Sequence, residues 1–241
     1  MSTSPDMLAP PQDQDEIWSV ADHIARGLRV EHADVSSTLG AITDVAVATV
    51  PGTTCAGIIV ADTDRHLTPM ATAGSIPLEL DELQRHLGHG PCLTAARKQV
   101  VVHIEDMAAD HRWPEFRGGA RGLGVESMLC LPLQIDDRCL GALSLYATSA
   151  GAFDQRAELV ARVLATQAVL AMAESQRTAQ LRAALDRRDV IGQAKGILME
   201  RHRITAEAAF ARLSAASQSV NRKLVVVAEQ LVATGVLPGP A

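Results

Sequence analysis

Apolar residues recur along this chain with two periods, and the switches between them mark out its elements. Ile17, Val20, Ala21, Ile24 and Leu28 have helical spacing, as do Val35, Leu39, Ile42, Val45, Ala46 and Thr49, where Pro51-Gly52 stops the pattern. Cys55-Ala-Gly-Ile-Ile-Val-Ala is instead a short apolar run bounded by Asp62-Thr-Asp. It predicts a buried strand, with Thr68 to Thr72 as its partner across the turn. Helical spacing returns at Leu78, Leu80, Leu83 and Leu87. Gly88-His-Gly-Pro-Cys then turns into another helix, followed by a strand from Gln99 to Ile104. Asp106 to Arg121, with Arg112-Trp-Pro-Glu-Phe, predicts a loop and then a helix.

Two strands follow, Glu126 to Gln134 and Cys139 to Ala147, on either side of the hairpin turn Asp136-Asp137-Arg138. Pro132 has no amide hydrogen to donate, so it belongs at a bulge or an edge position. Phe153 to Met172 predicts a long helix. The stretch Glu174 to Gln180 has no glycine or proline, so that helix is expected to continue to Arg201. Its heptad pattern is interrupted by Glu174, Arg177 and Arg188, which argues against a strong coiled coil. The plan is α+β, an antiparallel sheet between helical layers.

Three amphipathic helices close the chain. The first carries Leu181, Leu185, Ile191, Ala194 and Leu198. The second is capped by Thr205, with Glu207 in its first turn and Ala206, Phe210, Leu213 and Ala216 on its apolar side. The third is expected to be capped by Ser219 or Asn221, to bury Leu224, Val227, Ala228 and Leu231, and to end at Gly235. Gly192 and Gly196 lie one turn apart, and each costs about 1 kcal/mol of helix propensity against alanine. They are therefore expected to let another backbone approach.

Charge separates the two ends. Residues 178–236 hold nine basic and five acidic side chains, a net +4, which leaves −10 for the rest of a chain whose net charge is −6. An acidic body with a basic end points to a polyanion partner for that end alone, although a solvated helix face gives the same excess. With aromatic residues at only 2%, the core must be built from Val, Leu, Ile and Ala. Cys55, Cys92, Cys130 and Cys139 have no metal-ligand spacing, so neither a metal nor a cofactor is expected. Met1 to Asp15 is polar, with three prolines, and predicts a disordered tail rather than a signal peptide. No apolar run reaches the roughly 20 residues of a membrane helix, so the expectation is a cytoplasmic protein with reduced thiols.

The pattern Ile191, Gln193-Ala194-Lys195-Gly196, Leu198-Met199, Ala208, Phe210, Leu213, Ser217, Asn221-Arg222-Lys223-Leu224 and Ala228 resembles the ANTAR domain of bacterial transcription antiterminators. Upstream, Leu87-Gly-His-Gly-Pro-Cys, Asp106-Met, Arg112-Trp-Pro-Glu-Phe, Gly124-Val-Glu-Ser-Met-Leu and Pro132-Leu resemble the GAF domains that precede ANTAR domains in actinobacteria. The expected organisation is a tail at 1–15, a GAF-like sensor domain at 16–175 and an ANTAR domain at 176–238. By resemblance, the output domain binds paired stem-loops in nascent messenger RNA and prevents a terminator hairpin. Paired hairpins imply a homodimer, with the helices at Ile17–Leu28 and Phe153–Met172 in its interface. No catalysis is implied.

The candidate RNA-binding residues are Arg188, Gln193, Lys195, Ser217, Gln218, Asn221, Arg222 and Lys223. Arg188 and Lys195 lie two turns apart along one stripe of their helix. Arg222 and Lys223 open the third helix, where cations oppose the helix dipole and local stability does not ask for them. Asn221 and Gln218 can read base edges, while the cations position the backbone; Asn221 is also a candidate helix cap. The family pattern has arginine where Ser214 stands and Arg-Asp where Val225-Val226 stand. That departure weakens the electrostatic footprint, leaves Val226 on the solvent side and suits a protein partner instead.

In the sensor domain the candidate ligand residues are Gly88, His89, Gly90, Cys92, His103 and Asp106, around a modest small-molecule pocket. Cys92 near a helix start also allows a thiol redox sensor or enzyme, against the plainer reading of a small core residue.

Overall fold

The computed structural model describes residues 35–62 and 66–238. The expected helix at Ile17–Leu28 and the tail before it lie outside the described residues. In chain order the elements are α1 Val35–Thr49, β1 Cys55–Ala61, β2 Leu67–Ala73, α2 Ile76–Leu87, α3 Pro91–Lys98, β3 Val102–Ile104, α4 Pro114–Gly122, β4 Ser127–Ile135, β5 Arg138–Ala147, α5 Gln155–His202, α6 Ala206–Ser219 and α7 Leu224–Thr234. The chain divides into two compact units between Ser175 and Gln176. Helix α5 spans that boundary as a single element.

In the first unit five antiparallel strands lie in the order β2-β1-β5-β4-β3. Side chains alternate across a strand, and β4 and β5 bury both sets. Leu129, Leu131, Leu133, Leu143 and Leu145 pack with Leu39, Ile42 and Ala46 of α1 and with Ala157, Ala161, Leu164 and Ala168 of α5. Met128, Cys130, Ala142 and Tyr146 face the other way, onto Leu80 of α2, Cys92, Leu93 and Ala96 of α3, and Phe116 and Ala120 of α4. Strands buried on both faces read as nearly continuous apolar runs, the texture of Met128-Leu-Cys-Leu.

Pro132 lies past the end of β3, where β4 pairs with β5 alone, one residue before a register shift at Leu133/Gln134. It therefore stands where no third strand needs its missing donor. Between β4 and β5 the turn is Asp136-Asp137, and Asp136 adopts φ 50°, a left-handed geometry that aspartate tolerates better than most residues.

The second unit is a three-helix core. Ala194 and Leu198 of α5 meet Ala209, Leu213 and Ala216 of α6 and Val227, Ala228 and Leu231 of α7. Thr205 caps α6, its Oγ1 accepting the Ala208 N–H at 3.3 Å. Gly235 ends α7 in the left-handed conformation with φ 70°. Arg201 donates from Nη1 to the Gly235 carbonyl at 2.5 Å, a cation placed at the negative end of the α7 dipole.

Four expectations need correction here. Gly192 and Gly196 face away from the core, and a methyl group added at either meets no heavy atom within 4 Å. Each is two residues from Ala194, so about 200° around the helix. Close packing comes instead from Ala194, Ala209, Ala216 and Ala228. Phe210 is 45% exposed rather than in the core, because Ala209 and Leu213 set the buried line of α6. Neither Ser219 nor Asn221 caps α7: Ser219 Oγ donates back to Ala216 O at 2.9 Å, and Lys223 occupies the cap position with no side-chain hydrogen bond. Finally, Leu224 and Val226 are both half-buried, one less covered and the other less solvent-facing than expected.

Candidate functional sites

In the first unit the polar atoms converge on a buried sulfur. Cys92 is fully buried at the start of α3. Gln84, projecting from α2, holds it twice: Gln84 Oε1 accepts the Cys92 N–H at 2.8 Å, and Nε2 donates to Sγ at 2.9 Å. Gly90, in the N-cap position of α3, has no side chain to cap with, so Gln84 satisfies one of the orphan donors of the first turn. A Cβ at Gly90 would overlap the Gln84 side chain, so only glycine leaves room for that contact.

Ser144 Oγ donates to the same sulfur at 3.1 Å, and the Tyr146 hydroxyl lies 3.5 Å away. Both stand on β5, two residues apart and therefore on one sheet face. Burial works against an ionised Cys92, but hydrogen bonds from Cys130, Ser144, Gln84 and Tyr146 outweigh it and lower the thiol to about 6. The neighbouring groups shift the other way. Burial raises Cys130 and Tyr146, and the Cys92 charge adds to both. Asp81 is pushed up to about 9, first by burial and then by Cys92. The arrangement therefore favours ionisation at Cys92 and opposes it at Asp81, Cys130 and Tyr146. With no exposed surface, the sulfur is out of reach of a substrate in this conformation.

Beside this cluster lies a cavity of about 410 Å³ between α2, α3 and the β1–β2 edge of the sheet. Ile59, Leu67, Pro69, Leu78 and Leu93 form its apolar walls, and Asp81, Arg85, Gly88 and Arg97 are among its polar lining. Of the six ligand residues expected from the sequence, Gly88 lines this cavity. Cys92 and Gly90 are buried behind it, His89 is exposed and paired with Glu115 at 3.6 Å, and His103 and Asp106 line a separate shallow depression.

The sequence reading missed Asp81, Gln84, Ser144 and Tyr146. One signal was available. Pro77, Leu80, Asp81 and Gln84 follow the i, i+3, i+4, i+7 spacing of a buried helix face, whereas counting leucines put Leu78, which is 49% exposed, on that face.

In the second unit Arg188, Gln193, Gln218, Asn221, Arg222 and Lys223 are exposed, and Lys195 and Ser217 are half-buried. Arg188, Gly192 and Lys195 follow one stripe of α5. Lys195 also approaches the α6 start, where its charge helps hold Glu207 below the usual carboxylate range, after that residue's own backbone and Thr205. The α6–α7 turn is built locally. Ser217 Oγ donates to Arg222 O at 2.5 Å, the Asn221 N–H donates to Gln218 O at 3.2 Å, and Asn221 takes φ 50°. That left-handed φ explains an asparagine there, since its side chain tolerates the conformation. Arg222 Nη1 donates to Gln230 Oε1 at 2.7 Å, which positions the guanidinium along α7. Exposed polar and cationic side chains thus lie both along the α5 stripe and at the α6–α7 turn. Phe210 and Met199, which the sequence reading had not assigned to the surface, are exposed in the same unit.

A model of the GAF domain matches residues 32–173, and a model of the ANTAR domain matches residues 179–232. Among curated proteins none matches the chain. Similar solved structures include the GAF domain of an Acinetobacter phosphoenolpyruvate-protein phosphotransferase, 14% identical with a TM-score of 0.53, over 71% of this chain and 99% of that one. Another is the free methionine-R-sulfoxide reductase of Neisseria meningitidis solved with its substrate, 19% identical with a TM-score of 0.54, over 73% of this chain and 98% of that one. The reduced free methionine-R-sulfoxide reductase of Staphylococcus aureus is 14% identical with a TM-score of 0.51, over 69% and 99% of the two chains. At these identities the likeness is one of fold. No helix among the described residues is long and apolar enough to cross a membrane.

Proposed function

The chain belongs to the GAF domain family and carries an ANTAR domain behind it, and from that premise we propose a signal-responsive transcription antiterminator. ANTAR domains mark RNA-binding antitermination regulators, and GAF domains are sensor modules. In this reading the second unit binds paired stem-loops in nascent messenger RNA and prevents a terminator hairpin, while the first unit receives a small-molecule signal. The protein works in the cytoplasm as a homodimer, one ANTAR unit for each hairpin. The exposed Leu159 and Leu170 on α5, beside the buried line that packs on the sheet, supply an apolar face for that pairing.

One observation supports the RNA reading: the ANTAR match falls on a unit that leaves Arg188, Arg222, Lys223, Gln218 and Asn221 exposed to solvent. Cations of this kind contact phosphates, and the amides at the α6–α7 turn read bases in an unpaired loop. The test is salt dependence. For single-stranded loops each phosphate neutralised contributes a slope of about −0.7, so replacing Lys195 and Arg222 together by alanine flattens the slope by roughly one to one and a half. Neither change touches the Leu198, Leu213 and Leu231 core, so helicity is retained. Unchanged affinity and slope on a paired-hairpin RNA would leave the second unit as a protein-interaction module instead.

A further inference from the structure

We propose that the cavity between α2, α3 and the β1–β2 edge is a site for a free α-amino acid with an apolar side chain, its ammonium group on Asp81 and its carboxylate between Arg85 and Arg97. The inference rests on reading the first unit as a small-molecule sensor, and it names the class of signal.

Asp81 is only 7% exposed, it lines the cavity, and its Oδ2 has no hydrogen-bond partner. A buried carboxyl oxygen left unpaired is costly, so a native protein retains one where something else meets it. Burial raises the carboxyl pKa, and a neighbouring ammonium supplies the counter-charge that the ionised form lacks.

One turn along α2, Arg85 stands at i+4 from Asp81, a spacing that sets side chains side by side on one helix face. Glu82 holds this guanidinium from both oxygens, at 2.8 Å on Nε and more closely on Nη2. Arg97 approaches the same cavity from α3, and its Nη1 donates to Gly88 O at 2.9 Å. Asp81, the two guanidiniums and the Glu82 carboxylate already bound to Arg85 line one cavity. Asp81, Arg97 and the outer side of Arg85 therefore suit an ammonium and a carboxylate on a single carbon. They do not match a ligand whose charges lie at opposite ends. The third substituent of that carbon then meets Ile59, Leu67, Pro69, Leu78 and Leu93. At about 410 Å³ the cavity is near the lower end of the roughly 300–1,000 Å³ usual for ligand sites, the scale of an amino acid rather than a dinucleotide or a tetrapyrrole.

The test is calorimetric titration and thermal unfolding of the full chain, without RNA, using L-leucine and L-methionine as probes. Isopentylamine and 4-methylpentanoate, each with one of leucine's two charged groups, serve as comparisons. Both amino acids should bind saturably and raise the melting temperature, with each single-headed analogue weaker than leucine by about tenfold or more. Asp81→Asn keeps the shape of the side chain and should weaken leucine by about tenfold. Arg97→Ala, a surface change that spares the fold, should weaken it as well. The proposal is overturned by 4-methylpentanoate binding as tightly as leucine, by leucine binding that Arg97→Ala leaves unchanged, or by no saturable signal from either amino acid. Hairpin RNA binding, measured separately, survives each of those failures. Its loss with leucine binding intact would instead remove the antiterminator reading and leave this site standing.

Discussion

Two glutamines show how differently the two units use polar groups. Gln84 of the first unit is completely buried, and both ends of its amide are engaged by Cys92. Gln218 of the second unit is exposed, with its side chain in solvent beside the α6–α7 turn. The same contrast runs through the rest of each unit. The first turns a carboxyl, a thiol, a hydroxyl and a phenol inward, while the second buries only Ala, Leu and Val and places its cations outside. An inward polar cluster specifies one packing and can be read out through stability. An outward cationic face contributes little to folding and can be read out only through a partner.

The sharpest way to break the comparison is to remove each glutamine's amide. Gln84→Leu leaves the Cys92 N–H and sulfur without their partner in a dry core, and the expected loss is about 2–4 kcal/mol. Gln218→Leu should change stability by no more than about 0.5 kcal/mol. Urea unfolding of the two variants measures both. Equal losses would mean that the buried cluster contributes nothing particular to the first unit.

Asp81 sharpens the same contrast through pH. Its carboxyl rises from 3.8 to about 9 in the folded protein, so above pH 3.8 the unfolded chain has released a proton that the folded one retains. Stability from this group is therefore greatest at low pH and falls as pH rises, by at most about 1.4 kcal/mol per pH unit. Cys92, lowered from 9.0 to about 6, has the opposite slope between those values. Cys92 therefore does not oppose the Asp81 slope between pH 3.8 and about 6. Asp81→Asn removes that slope, so the variant should gain on the wild type from pH 3.8 up to about 9, because Cys92 is common to both chains, and level off above. A parallel pair of stability curves would show that Asp81 ionises freely.

What the sequence disclosed follows the same division. The strands and hairpin were legible because their apolar runs are bounded by turn residues, and Pro132 sits where its missing donor required. The surface residues of the second unit were legible because a motif fixes residue types along α5, α6 and α7. The buried cluster was not. It joins α2, α3 and β5, elements up to 62 residues apart between Gln84 and Tyr146, and no local period links them. Phe210 was misplaced for a different reason: periodicity counts apolar residues, but in a small helical unit alanine can occupy the packed line and leave the larger side chain outside.

The smallest expected effect tests the glycines that were expected to pack and do not. Gly192 and Gly196 have nothing within 4 Å of an added Cβ, and neither does Gly40 in α1 of the first unit. Alanine at each of the three removes unfolded-state freedom without a clash, so each substitution should stabilise the protein by about 0.4–1 kcal/mol. The two units should part company in function. Gly192 and Gly196 lie on the exposed side of α5 next to the half-buried Lys195. In the antiterminator reading the bare backbone beside that cation is where a phosphate strand would come close. Two methyl groups there hold that strand off, so Gly192→Ala with Gly196→Ala should fold more stably and bind paired-hairpin RNA more weakly. Gly40→Ala should only gain stability. A more stable double variant with undiminished RNA affinity would show that the strand does not cross this face. The contact surface would then shrink to the α6–α7 turn, where Asn221→Gly preserves the left-handed backbone and isolates what the amide itself reads.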